Sequence, residues 1–290
     1  MTRNRIIPKP FDIAHDILFN EYPRIYTKTL GVPGYFVKKI NRRVHLKDGT
    51  SGEMDSAYIA DHDYKILFER VAVALEHQSY PVGDEKIVKF GDYDVQLVVD
   101  EHLPTLLAVA SHLNAEKSRD ILMRSPSDIT KLYFLDLAED NIRKRLSTVT
   151  EIIDNNKTLS IENALNLGVI VLYAPREHAC EITEKVVGLY LKIVENLDLK
   201  MEHCLYSVIY LMIDAYFDDE YEFRRLTDMI KEKTSDESKQ LFASHESTME
   251  SLKYAQEDLA ATKEDLVKAN GEISDLKAEV KRLTEELNSK

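Results

Sequence analysis

Asp55 and the triplet Glu76-His77-Gln78 are the residues whose types and spacing suggest chemistry. Each lies at the polar end or edge of a run that reads as a strand. The first run is Glu53 to Ala60; the second, Tyr64 to Leu75, is apolar near its end and closes on Glu76. Side chains two apart on a strand share a face, so Glu76 and Gln78 point the same way and His77 points the other. The His77 backbone carbonyl still lies between them as an oxygen donor. With Asp55 on the neighbouring strand, two carboxylates and one carbonyl converge, a donor set that suits magnesium or manganese. Such an ion acidifies a water and offsets charge developing on a phosphodiester, and Gln78 is placed to orient that water.

These residues resemble the PD-(D/E)XK nuclease superfamily, and within it the Rpn-type recombination-promoting nuclease and transposase-like branch, where Gln often replaces the Lys of the third motif. The resemblance identifies Asp55 and Glu76 as metal-binding residues and Gln78 as the residue at the Lys position. The stretch from Phe11 to Pro23 is similar to the branch's opening helix, and the likeness covers residues 8 to 140. It implies a restriction-endonuclease-like α/β fold, a mixed central sheet flanked by helices, acting on nucleic acid, DNA above all. The family commonly carries a further Glu before the Asp strand, but Val37 to Val44 contains no acidic residue. Glu21 and Glu53 are the substitutes, Glu53 sharing a strand face with Asp55. A second class stays open: a catalytically inactive scaffold of the same fold that binds proteins.

Several elements must position this constellation. Asp48-Gly49 is a hairpin signal between Arg43–Lys47 and the Asp55 strand. Leu103–Ser111 and Ile129–Asp136 read as buried strands, with 120–128 as their link, and a crossover helix is expected between 84 and 101 because parallel neighbours require one. From Glu139 the pattern turns helical: 139–155, 160–173, 181–197 and 201–217. Domains therefore read as a nuclease-like core over 1–140, a helical subdomain over 141–230, a linker or frayed helix over 231–247 and a coiled coil over 248–290. In the last segment Leu252, Leu259, Leu266, Ile273, Val280 and Leu287 recur every seventh residue, the seam of a homodimer.

Composition bounds the rest. The formal charge of −13 argues against a general nucleic-acid binder. From Ser244 onward eleven acidic and seven basic residues leave −4 there and −9 on the body. Basic clusters persist at Lys38-Lys39 with Arg42-Arg43 and at Arg143-Lys144-Arg145, positions that suit a phosphate backbone if they flank the site. Two cysteines, Cys180 and Cys204, exclude a disulfide framework and read as buried small hydrophobes. No apolar run is long enough to span a bilayer, and a cytoplasmic, reducing compartment is the expectation. His15, His178 and His203 lack a second metal ligand at suitable spacing.

Overall fold

Pro10 and Pro23 each stand at the first turn of a helix, where a missing N–H costs nothing, and they start α1 (Pro10–Glu21) and α2 (Pro23–Leu30). A computed structural model describes residues 7, 9–45, 51–61, 70–78, 84–111, 121–124, 129–135 and 137–244. After the two helices come β1 (Tyr35–Lys39), β2 (Arg43–His45), β3 (Ser51–Glu53), β4 (Ser56–Asp61) and β5 (Arg70–Gln78). Next are α3 (Asp84–Glu101), β6 (Thr105–Ser111), β7 (Ile121–Arg124) and β8 (Ile129–Phe134). Five helices follow in the carboxy-terminal part of the fold: α4 (Glu139–Asp154), α5 (Ile161–Leu172), α6 (Ala179–Ile193), α7 (Leu199–Tyr216) and α8 (Glu220–Lys233).

The fold is mixed α/β. One six-stranded sheet has the order β1-β4-β5-β6-β8-β7, antiparallel from β1 to β5, parallel from β5 through β6 to β8, and antiparallel again to β7. The crossover expected over 84–101 is α3, which carries the chain from β5 to its parallel neighbour β6.

Alternation along β5 divides its side chains between two cores. Val71, Val73 and Leu75 join Tyr58 and Ala60 of β4 in the large core shared with the helices. Ala72 and Ala74 join Ala57, Ile59, Phe90, Tyr93 and Leu97 in a smaller core under α3. The long helical region is thus packed on the sheet rather than separate from it; α1 lies against both α5 and α7. Gly168 of α5 permits that approach, since a Cβ there would stand 3.0 Å from the Leu18 side chain of α1. Helices α5 and α7 are buried on nearly every side, which is why their sequences are apolar almost throughout.

Several sequence expectations change in detail. The segment from Glu53 to Ala60 is not one strand: β3 pairs with β2 in a separate two-stranded sheet, β4 pairs with β5, and Asp55 sits at the break. The turn at Asp48-Gly49 lies outside the described residues, as does 62–69 in the expected Tyr64–Leu75 strand. The link over 120–128 contains β7, a short strand that the pattern search passed over. Ser160 caps α5 by accepting the Asn163 N–H at 3.2 Å. Residues 236–244 are helical, with Phe242 buried against Tyr206 and Tyr210. Cys204 is buried, but Cys180 is exposed, contrary to expectation. No helix among the described residues is long and apolar enough to cross a membrane. The heptad segment from Leu252 to Leu287 lies outside them.

Candidate active site

Pairing of β4 with β5 begins at Ser56 opposite Leu75, so residues 76 to 78 of β5 run past the end of β4. Asp55 lies just before that end and turns onto the free edge. Its carboxylate Oδ2 accepts the His77 N–H at 2.6 Å, and the Asp55 N–H donates to Glu76 Oε1 at 3.0 Å. Each acid is therefore fixed by the other's strand, a reciprocal clamp that places both carboxylates at one point of the sheet.

The Ala72 N–H bonds to Pro104 on the β6 side, so alternation turns the peptide groups of odd-numbered β5 residues toward β4. His77 presents its N–H, and with it its C=O, to the Asp55 edge. The two predicted acids, Asp55 and Glu76, are thus brought together beside the His77 peptide group through its N–H. Among the described residues no three His, Cys, Asp or Glu side chains stand together as a group that could hold a metal ion. Gln78 is half-buried at the end of β5 and shares the Glu76 face.

Electrostatics set this pair apart. Glu76 is 2% exposed. Burial, followed by the neighbouring Asp55 charge, pushes its carboxyl up to about 7. Burial raises Asp55 to about 6 against the opposing His77 amide and Lys86 charge, with Asp12 and Asp16 adding to the rise. The two acids titrate as a unit, and both resist ionisation together unless positive charge arrives. One such charge is present: Lys86, in the first turns of α3, holds Glu76 Oε2 at 3.2 Å.

Arg42 organises the other side. It reaches Asp16 Oδ1 at 3.0 Å, Glu53 Oε1 at 2.7 Å and the Asp55 carbonyl at 3.1 Å. Asp12 and Asp16, one turn apart on α1, line a cavity of about 290 Å³ together with Lys9, His15, Arg42, Glu53, Met54 and Asp55. Burial raises the carboxyls of both Asp12 and Asp16. The acids that α1 contributes are therefore these two. Glu21, at the far end of α1, instead pairs with Lys200 of α7 at 3.4 Å. Glu53 does reach the site, bound to Arg42.

Beneath the clamp runs a buried chain of polar groups. Ser56 Oγ meets His15 Nε2 at 3.0 Å, His15 Nδ1 meets Tyr26 OH at 2.9 Å, Tyr26 meets Tyr173 at 3.3 Å, and Tyr173 meets His77 Nδ1 at 3.2 Å. It ties the residue after Asp55 to the residue after Glu76 through the helical layer. Burial, reinforced by Arg42, lowers His15 to about 3, so this imidazole is neutral and serves as a hydrogen-bonding link.

Sequence reasoning missed Lys86, Asp12, Asp16 and the His15 chain, and it read Arg42 only as part of a basic cluster rather than as a partner of Asp16 and Glu53. The i, i+4 spacing of Asp12 and Asp16 places both on one helix face and was a readable signal. Nothing local marks Lys86, whose role depends on how α3 crosses the end of β5. Comparison of the chain with protein-family models, with curated proteins and with solved structures gave no match.

Proposed function

We propose that this chain is a divalent-metal-dependent nuclease that hydrolyses phosphodiester bonds, of the restriction-endonuclease-like kind that its motif resembles. The observation that carries this reading is the reciprocal clamp between Asp55 and Glu76. Two buried acids held together, both resisting ionisation, form a place where a cation gains more than water can offer. A magnesium or manganese ion, when bound, acidifies a water and neutralises charge developing on the phosphate.

The chain's own residues supply the remainder. Asp55, Glu76 and the His77 carbonyl would hold the ion, and Arg42 fixes the turn that presents Asp55. Gln78, on the Glu76 face, orients the attacking water through its amide. Lys86 brings to the same end of β5 the positive charge that an amide at position 78 cannot carry. Water adds to phosphorus as the bond to the leaving oxygen breaks; the attacking water loses its proton to solvent and the leaving oxygen takes one up from solvent, giving a phosphate monoester and a hydroxyl. The heptads of the carboxy-terminal segment support a parallel homodimer, which would present two such sites to nucleic acid.

The test is direct. Purified full-length protein is incubated with plasmid DNA, single-stranded DNA and RNA, with and without magnesium or manganese, beside Asp55→Asn and Glu76→Gln. Metal-dependent cleavage that both substitutions abolish is the expected result. Cleavage indifferent to them, or no cleavage of any substrate, sinks the hydrolase reading and leaves the protein-binding scaffold.

A further inference from the structure

A second cleft opens on the β1 side of Asp55. It encloses about 440 Å³ and is lined by Asn20 of α1, Lys39 of β1, Asn41, Arg42, Arg43 and the segment from Asp55 to Ala57, among others. It shares Asp55, Arg42 and Glu53 with the acidic cavity, so the two meet at the clamp. The basic cluster noted in the sequence around Lys39 and Arg43 thus forms a wall of the space beside the candidate active site.

The state of its cations is informative. Lys28, Lys185, Lys192 and Arg224 elsewhere each hold a carboxylate within 3 Å. Among the described residues Lys39 and Arg43 have no carboxylate partner. Lys39 rests on neutral oxygens, Asn20 Oδ1 at 2.7 Å and Asn20 O at 3.4 Å, with its ammonium 5.4 Å from the Phe19 ring centre. Arg43 is exposed, and its N–H donates to Asn41 Oδ1 at 3.1 Å. Since the oxygens of Asn20 and Asn41 are both used as acceptors, each amide keeps its N–H groups to donate. Of the acids on the cleft wall, Glu53 shares Arg42 with Asp16, and one oxygen of Asp55 accepts the His77 amide. In a chain of 51 acidic and 38 basic residues, two cations without acid partners and two donor amides around one cleft make a local site for anions.

We propose that this cleft, through Lys39, Arg43, Asn20 and Asn41, grips the phosphates of a single nucleic-acid strand next to the bond cut at Asp55 and Glu76. This rests on the nuclease reading for its substrate class. The cleft volume takes a short stretch of one backbone and excludes a duplex. Asp55 of the carboxylate clamp lies in the lining of the same cleft as these cations.

The experiment separates binding from cleavage. Full-length protein in EDTA is titrated into a short fluorescent single-stranded oligonucleotide, and anisotropy is followed over a series of salt concentrations. Lys39→Ala combined with Arg43→Ala is expected to raise Kd about tenfold or more near about 100 mM salt. It should also flatten the log Kd against log salt slope by roughly 1.4, about 0.7 for each lost single-strand phosphate contact. Lys192→Ala, which removes a cation already paired with Asp154, should change neither. Absence of binding by the unsubstituted protein, or an unchanged Kd and slope in the double variant, overturns the proposal. Binding that follows the expected pattern in a protein that cuts nothing supports the cleft and defeats the hydrolase reading. Cleavage with kcat/KM indifferent to both substitutions does the reverse.

Discussion

Two glutamates, one at the sheet edge and one in the helical layer, are buried almost completely and held in opposite ways. Glu202 of α7, 7% exposed, accepts the Ser235 N–H at 2.6 Å, the Ser235 hydroxyl at 2.7 Å and the Ser238 hydroxyl at 3.0 Å. All three donors come from the start of the helical stretch over 236–244, so this carboxylate fastens that stretch to α7. Glu76 has one backbone amide and one ammonium, and beside it stands a second acid. A buried acid saturated by neutral donors is scaffold. A buried acid pressed against another acid is a site held ready for a cation, and its strain is tolerated because the surrounding fold enforces it.

The largest expected effect tests this contrast through complementary losses. Glu76→Gln should lower metal-dependent cleavage by about 10³-fold or more, which is roughly 4 kcal/mol of transition-state stabilisation. Its thermal midpoint at neutral pH should hold or rise. Glu202→Ala should keep the specific activity of whatever protein remains folded while costing about 2–4 kcal/mol, because three buried donors lose their acceptor. Chemical denaturation and single-turnover cleavage read the two quantities independently. If instead Glu76→Gln unfolds the protein and Glu202→Ala removes activity, the roles assigned to the two regions are exchanged.

The next effect is one of pH. Asp55 and Glu76 are raised in the folded state, to about 6 and about 7, from ordinary carboxyl values near 4. Over this interval the folded chain holds more protons than the unfolded one, so stability must fall as pH rises. The penalty is absent below the unfolded values, grows between about pH 4 and 7, and is constant above. Metal-free protein should therefore lose on the order of several kcal/mol from this pair across that window. Glu76→Gln should remove most of the slope, and magnesium should restore stability above pH 7 in the unsubstituted protein alone, by about 2.7 kcal/mol at one hundred times its Kd. A metal-free stability curve that is flat or rising across the window, once other groups are matched by the Glu76→Gln control, contradicts the coupled pair.

The two regions were also unequally legible in the sequence. The helices α4 to α7 could be read within a few residues, because amphipathic or fully apolar periodicity is local and their tertiary partners only confirm it. Glu76 was legible as the polar close of an apolar strand, a local signal, whereas Asp55 was read into a strand that in fact breaks there. What failed is everything decided by the meeting of distant segments. The break between β3 and β4 that aims Asp55 depends on two different sheets claiming adjacent residues. Lys86 reaches Glu76 only because α3 starts over the end of β5, and His15 reads as an isolated polar residue until Tyr26 and Ser56 surround it. Glu21 reads as a substitute acid reaching in from the first helix, yet that end of α1 pairs with Lys200. Cys180 reads as buried because it falls within helix-like apolar periodicity, but it lies in the first turn of α6 near the surface, with Arg176, Glu177, Thr183 and Glu184 at three and four.

The smallest effect asks whether the two regions communicate. Tyr173 closes α5 and is fully buried, and its hydroxyl stands between Tyr26 of α2 and Nδ1 of His77 on β5. Tyr173→Phe keeps the ring and its packing while deleting that link, which should cost about 1–2 kcal/mol of stability. His77 also holds Asp55 through its backbone amide. A ring that loses its tether lets the strand end shift, so cleavage should fall a few-fold, with the loss appearing in the magnesium concentration required rather than in cleavage at saturating metal. A double-mutant cycle of Tyr173→Phe with His77→Phe should show a coupling of about 1 kcal/mol, because each substitution removes the same hydrogen bond. Additive costs together with an unchanged magnesium requirement would mean that the helical layer only supports the sheet, and that the clamp is set by β4 and β5 alone.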